Sequence, residues 1–174
     1  MSLAGWDNIG ILKREILLYT QLIGKGFQVS FITYGNSDDL KYSNRLSGIK
    51  VLCNKWGLPK YIYNKYLHII HRKHLKSCNI IKTNQMFGSE IALKCAKYHD
   101  KPFFSRFGYM LSEFEQNENR EYQKFIDLEN QVFEDADKII VTTKSIKSKV
   151  EKRIKKRLNK IVIVPNYVDT NLFK

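Results

Sequence analysis

Three small groups of residues in this chain have the types and spacing to meet a ligand. Arg106 stands two residues before Gly108, where a β-rich run gives out. A guanidinium placed there can grip a phosphate or a carboxylate through two parallel hydrogen bonds. The plain alternative, a surface arginine paired with Glu113 or Glu115, carries equal weight. Asn84 and Gln85 follow another β-rich run and can hydrogen-bond sugar hydroxyls, or simply cap the helix behind them. Gly10 precedes a helix and could let backbone amides approach a phosphate. No G-x-G-x-x-G surrounds it, and a glycine at a helix entry more often only makes a turn.

The remaining polar candidates are weaker. Glu129 interrupts an apolar stripe between Ile126 and Val132, where a buried carboxylate needs a partner. Most such residues sit half-exposed at the edge of the stripe, and that is the reading taken for Glu129. His68, His71 and His74 recur every three residues, without the i, i+4 pairing and glutamate of a helical zinc motif, and read as solvated. No Ser-His-Asp, Cys-His or paired-carboxylate set stands out, and no metal is called for. Cys53, Cys78 and Cys95 share no metal-type spacing with histidine and read as reduced thiols.

These residues need elements to hold them. Strand-like runs cover 28–33, 49–53, 79–83, 102–106, 138–143 and 160–164, and between them lie segments of helical length. A helix is predicted over 11–24, buried through Leu12, Ile16, Tyr19, Leu22 and Ile23, with residues 6–10 before it as a loop. A helix over 60–76 is predicted to bury Ile62, Tyr66, Ile69 and Ile70, with Lys65, His68, Arg72 and Lys76 around the other side. Helices over 87–99 and 118–135 follow. Strand and helix alternate throughout, which defines an α/β fold: a parallel sheet, doubly wound, with helices on both faces. In such sheets ligands sit beyond the carboxyl ends of the strands, where Tyr34, Asn84, Arg106, Thr143 and Asn166 all fall. Nothing before Trp6 can form a strand, so the usual first strand is expected to be lacking.

Composition bounds the function. The 174 residues carry 30 Lys and Arg against 17 Asp and Glu, a formal charge of +13, which favours anionic partners. A lysine-rich solvated surface accounts for the same total. Residues 60–76 interleave Tyr61, Tyr63 and Tyr66 with Lys60, Lys65, Arg72 and Lys73, and such a helix either lies on a bilayer or packs on its sheet, the commoner case. Residues 144–160 set nine cations against Glu151 alone, a dense enough cluster for anionic lipid or a merely solvated helix. No apolar run approaches the ~20 residues of a membrane span. No secretory signal opens the chain, so it is expected in the cytoplasm, with peripheral attachment to the inner membrane face as an option.

The C-terminal third carries a resemblance. Ala136-Asp137-Lys138-Ile139-Ile140-Val141-Thr142-Thr143, a basic helix, and then Pro165-Asn166-Tyr167-Val168-Asp169-Thr170-Asn171-Leu172-Phe173 resemble the end of the N-terminal domain in family 4 glycosyltransferases. The run P-N-x-V-D-x-x-x-F is their entry into the interdomain linker. Trp6, Gly10, Arg14-Glu15, Asn84-Gln85 and Arg106-x-Gly108-Tyr109 fit one branch of that family, extending the similarity from about Trp6 to Phe173.

The resemblance implies a retaining enzyme of the GT-B fold, with two Rossmann-like domains and a nucleotide-sugar donor as substrate rather than any cofactor. Residues 1–165 would be the N-terminal, acceptor-side domain and 166–174 the start of the linker, with Asn166 in it. Trp6, Asn8 and Gly10 would face the donor, and Asn84, Gln85, Arg106, Tyr109 and Thr143 would line the acceptor side. The acceptor would be a saccharide or lipid-linked, in cell-surface polysaccharide or glycolipid synthesis. The resemblance implies a further, donor-binding domain that these residues do not supply, so the chain alone is expected not to transfer sugar. A non-catalytic basic module for an anionic membrane or a partner surface is the alternative. Nucleic acid ranks last, because charge alone favours it.

Overall fold

The computed structural model describes residues 2–113, 120–154 and 157–167. They form two compact units, one built from residues up to Asn64 and the other from Lys65–Tyr167. Each unit has its own parallel sheet. The alternating strands were expected in one continuous sheet. Hydrogen bonding instead divides them between these two, and among the described residues no strand precedes the first helix.

In the first unit, α1 (Leu3–Asn8) and α2 (Leu12–Gly24) lead to β1 (Ser30–Ile32), a 3₁₀ segment (Ser37–Arg45) and β2 (Lys50–Leu52). Strands β1 and β2 pair in parallel, with Phe31 opposite Val51. The entry segment is a correction: Trp6 and Asn8, expected in a loop, lie in α1. The Ser2 hydroxyl caps that helix by accepting from the Gly5 amide at 3.0 Å. Gly10 then turns the chain at φ +72°, a conformation natural to glycine, before α2 begins. Leu3, Leu12, Ile16, Leu46, Ile49 and Val51 form the small core.

One buried carboxylate ties this unit together. Asp39, almost fully buried, accepts from the Leu3 amide at 3.0 Å, the Ala4 amide at 3.3 Å and the Thr33 hydroxyl at 2.6 Å. The free amides at the start of α1 welcome a negative charge, which offsets the cost of burying it. Gly35 is required beside it, since a Cβ there would stand 2.2 Å from Asp39 Oδ2.

In the second unit, α3 (Lys60–Ile70), which begins in the first, runs into α4 (Arg72–Ser77). It is followed by β3 (Ile81–Lys82), α5 (Ser89–His99), β4 (Phe103–Phe107), a 3₁₀ turn (Leu111–Glu113), α6 (Arg120–Asp135), β5 (Lys138–Val141), α7 (Lys144–Arg153) and β6 (Ile161–Ile163). The strands pair in parallel in the order β3-β4-β5-β6. The central strands β4 and β5 leave Phe104, Arg106 and Ile140 half-buried on one face and turn the other fully into the core, where Phe103, Phe107, Ile139 and Val141 are closed to solvent. Each such side chain contributes about 1.5–3 kcal/mol of burial. Edge strand β6 leaves Val162, Ile163 and Val164 more than a third exposed.

Two expectations about helix faces are corrected. Across α3 and α4 the inward stripe is Tyr63, Leu67, His68, His71 and Leu75, whereas Tyr66 and Ile69 are exposed. His68 and His71 are therefore core residues rather than solvated ones. Glu129 is not at a stripe's edge but fully buried on α6. It accepts from the Ser112 amide at 3.1 Å, the Ser112 hydroxyl at 2.8 Å and the Arg153 guanidinium, so three elements meet at one carboxylate. Arg153 also lies 5.0 Å over the Phe133 ring, which stacks on Phe107 at 5.6 Å. Val168, Leu172 and Phe173 of the linker run, together with Glu115, lie outside the described residues.

Candidate functional site

Parallel pairing brings the carboxyl ends of β3, β4, β5 and β6 to one side of the second unit. Thr83 continues the ladder by donating to the Phe104 carbonyl at 3.0 Å, and Val164 by donating to Val141 at 2.8 Å. The loops leaving these strands form a polar rim. Side chains along β4 alternate, with Phe103, Ser105 and Phe107 buried and Phe104 and Arg106 half-buried on the opposite face.

Arg106 is the centre of the rim. Its Nη2 donates to Asn166 Oδ1 at 2.8 Å and its Nη1 to the Asn84 carbonyl at 3.4 Å, while its backbone amide donates to Thr83 Oγ1 at 3.4 Å. Asn84 and Asn166, far apart in sequence, thus share one guanidinium. The competing reading, an ion pair with Glu113, is not what forms: Glu113 takes Lys149 of α7 instead. Among the described residues Arg106 has no carboxylate partner. Lys82 adds a second cation, its Nζ donating to Asn84 Oδ1 at 2.8 Å and to the Thr83 carbonyl at 3.2 Å. The rim is therefore electropositive, with guanidinium donors held in place by neutral oxygens. Such an arrangement suits an anionic or hydroxyl-rich ligand.

The other expected rim residues divide. The Asn84 and Gln85 side chains do not cap α5, which starts at Ser89 after Gly88; the Gln85 carbonyl accepts from the Ser89 hydroxyl at 3.1 Å. Tyr109 is half-buried and packs against the core of the second unit. Thr143 is at the end of β5, but its hydroxyl is engaged in capping α7, accepting from the Ile146 amide at 3.2 Å. Lys82 and Thr83 were missed by sequence reasoning, although they close the β-rich run 79–83 and its carboxyl end was the signal. A hollow of about 470 Å³ lies along α5 and α6, lined by Glu90, Leu93, Lys94, Lys97, Tyr98 and Gln131. None of the rim residues borders it, and Lys97 there is already paired with Asp135 at 2.8 Å.

The expected donor-facing residues belong to the first unit. Trp6 meets Phe31 edge-on at 6.0 Å and packs on that unit's core, so its ring has a structural task. Asn8 and Gly10 are exposed.

With this geometry in hand, comparison with known proteins is specific. The model of Glycosyltransferase Family 4 matches residues 16–172. The chain belongs to that family, and its parallel sheets flanked by helices are the Rossmann-like architecture of a GT-B glycosyltransferase. Two solved structures of Anabaena HepE share the fold. The complex with UDP-glucose superposes with a TM-score of 0.61 at 12% identity, covering 83% of this chain and 37% of HepE. The complex with UDP and glucose gives 0.58 at 13% identity, covering 83% and 38%. This chain thus spans well under half the length of HepE. No curated protein matches it by sequence.

Proposed function

We propose that this chain is the N-terminal, acceptor-binding half of a retaining glycosyltransferase. In this reading residues 1–165 form the acceptor-side domain, residues 166–174 open the linker, and a C-terminal domain supplies the nucleotide-sugar. The acceptor is a saccharide or a lipid-linked sugar in cell-surface polysaccharide or glycolipid synthesis on the cytoplasmic side. The observation that carries it is Arg106, without a carboxylate partner among the described residues and steadied by Asn84 and Asn166 at the strand ends of a family 4 chain. Arg106, Asn84, Gln85 and Tyr109 would orient the acceptor, with Thr143 fixing the loop around them. Trp6, Asn8 and Gly10 would serve the donor side. The enzyme's work is then positioning of the hydroxyl and stabilisation of a departing diphosphate. Donor binding by HepE supports the donor class.

The test compares this chain with any longer gene product that contains it, each incubated with a panel of nucleotide-sugars and lipid-linked acceptors. Transfer by the longer polypeptide alone, with the anomeric configuration retained by NMR, is the expected result. Transfer with inversion, or transfer by this chain unaided, refutes the assignment.

A second reading has its own support. Between Asp39 and Glu90 no acidic residue occurs, while ten Lys and Arg do. A basic module seated on an anionic membrane surface fits that stretch.

A further inference from the structure

We propose that the outer face of α3 and α4 is a membrane-docking surface for anionic lipid. This deepens the membrane reading above and rests on it; the transfer reading stands or falls separately.

The outward face carries Lys65, Tyr66, Ile69, Arg72, Lys73 and Lys76, all exposed. Their spacing keeps them on one side of the helical pair, opposite the inward stripe of Leu67, His68, His71 and Leu75. The core therefore makes no use of Tyr66 and Ile69, which are 43% and 46% exposed. A single exposed apolar side chain is ordinary on a protein surface. Here two are ringed by cations, and Lys65 Nζ lies 5.5 Å over the Tyr66 ring. Lys65, Arg72, Lys73 and Lys76 have no acidic partner among the described residues.

Charge complementarity selects the occupant. Four cations without counter-ions among the described residues call for a dense anionic surface, and the apolar pair among them decides which kind. A phosphodiester backbone offers nothing to an isoleucine. A bilayer accepts Ile69 and the Tyr66 ring at the boundary of headgroups and acyl chains while phosphates meet the cations. The basic helix α7 differs, since Lys147 and Lys149 are paired with Glu151 and Glu113 and no large apolar side chain is exposed on it.

The experiment is co-sedimentation of the full chain with phosphatidylcholine vesicles, with and without 30% phosphatidylglycerol. Binding to the anionic vesicles only, weakened by salt, is expected. Lys65→Gln, Arg72→Gln and Lys73→Gln should each weaken it roughly fivefold. Tyr66→Ser with Ile69→Ser, which keeps every charge, should weaken vesicle binding but leave retention on a random oligonucleotide unchanged. Circular dichroism and thermal melting confirm that each variant folds. No preference for anionic vesicles overturns both this inference and the membrane reading. Binding that survives these substitutions but falls with Lys144→Gln and Lys152→Gln overturns the inference and keeps the membrane reading. Vesicle binding indifferent to the Tyr66 and Ile69 changes, and displaced by oligonucleotide, marks a general polyanion surface and overturns the inference.

Discussion

Arg106 reaches across the strand between them to Asn166, its Nη2 standing 2.8 Å from the asparagine's side-chain oxygen. β5 separates β4 from the loop after β6, so this contact links strand ends that are not neighbours in the sheet. The guanidinium holds Asn166 and the Asn84 carbonyl through separate nitrogens of one rigid plane, Nη2 taking the first and Nη1 the second.

The first prediction concerns that guanidinium. Pyrophosphate should perturb the amide NMR signals of Arg106 and Gly108 in the isolated chain, and Arg106→Gln should abolish the change while shifting stability by less than about 1 kcal/mol, as for an exposed polar contact. Unperturbed signals at millimolar pyrophosphate would remove the anion-binding role.

Glu129 is predicted to be costly to truncate. Glu129→Ala strands the Arg153 guanidinium and the buried Ser112 amide, at about 3–5 kcal/mol. The double change Glu129→Leu with Arg153→Met should recover most of that, because no charge is then left alone. Urea denaturation of the three proteins measures both effects, and additive losses in the double variant would contradict the pairing.

His68 makes stability depend on pH. Burial first, then the nearby positive charge of Lys94 and His99, holds its imidazole below the ordinary value of 6.5, and its buried Nδ1 has no partner among the described residues. Well above about pH 6.5 the ring is neutral in both folded and unfolded chains. As pH falls below that, the unfolded chain takes up the proton first, so stability declines until the folded-state value is passed. His68→Asn should flatten the curve of melting temperature against pH across this window. An unchanged slope would show that another group sets it.

Thiol reactivity should be graded. Burial pushes the Cys95 thiol up to about 11, and raises Cys53 and Cys78 as well. Cys78 alone is partly accessible. Iodoacetamide at pH 7.5 should therefore modify Cys78 first and reach Cys53 and Cys95 only when urea unfolds the chain. Mass spectrometry reads the order, and native Cys95 labelling at the rate of Cys78 would contradict it.

The β5–α7–β6 unit was legible in the sequence because its signals agree: two β-branched runs, a charged helical segment and a terminating Pro165. The inward face of α3 was not. Ile62, Tyr66 and Ile69 keep the helical period, but so do Tyr63, Leu67 and Ile70, and periodicity alone cannot choose between two apolar stripes on one helix. Arg106 and Asn84 were readable from their places at strand ends. Their union with Asn166 was not, because it depends on the register of four strands rather than on any local spacing. Asp39 and Glu129 escaped correct reading for a related reason. A carboxylate is buried when distant donors await it, and Leu3 and Arg153 lie far along the chain.

Gly35 constrains the order in which this sequence can drift. The place a methyl group would take is filled by the Asp39 carboxylate, 2.2 Å away, and Asp39 is held in turn by Thr33 and the opening amides of α1. A descendant bearing alanine at position 35 must first have shortened position 39, which leaves the Thr33 hydroxyl and two amides wanting an acceptor. Homologues should accordingly vary at these sites together or not at all.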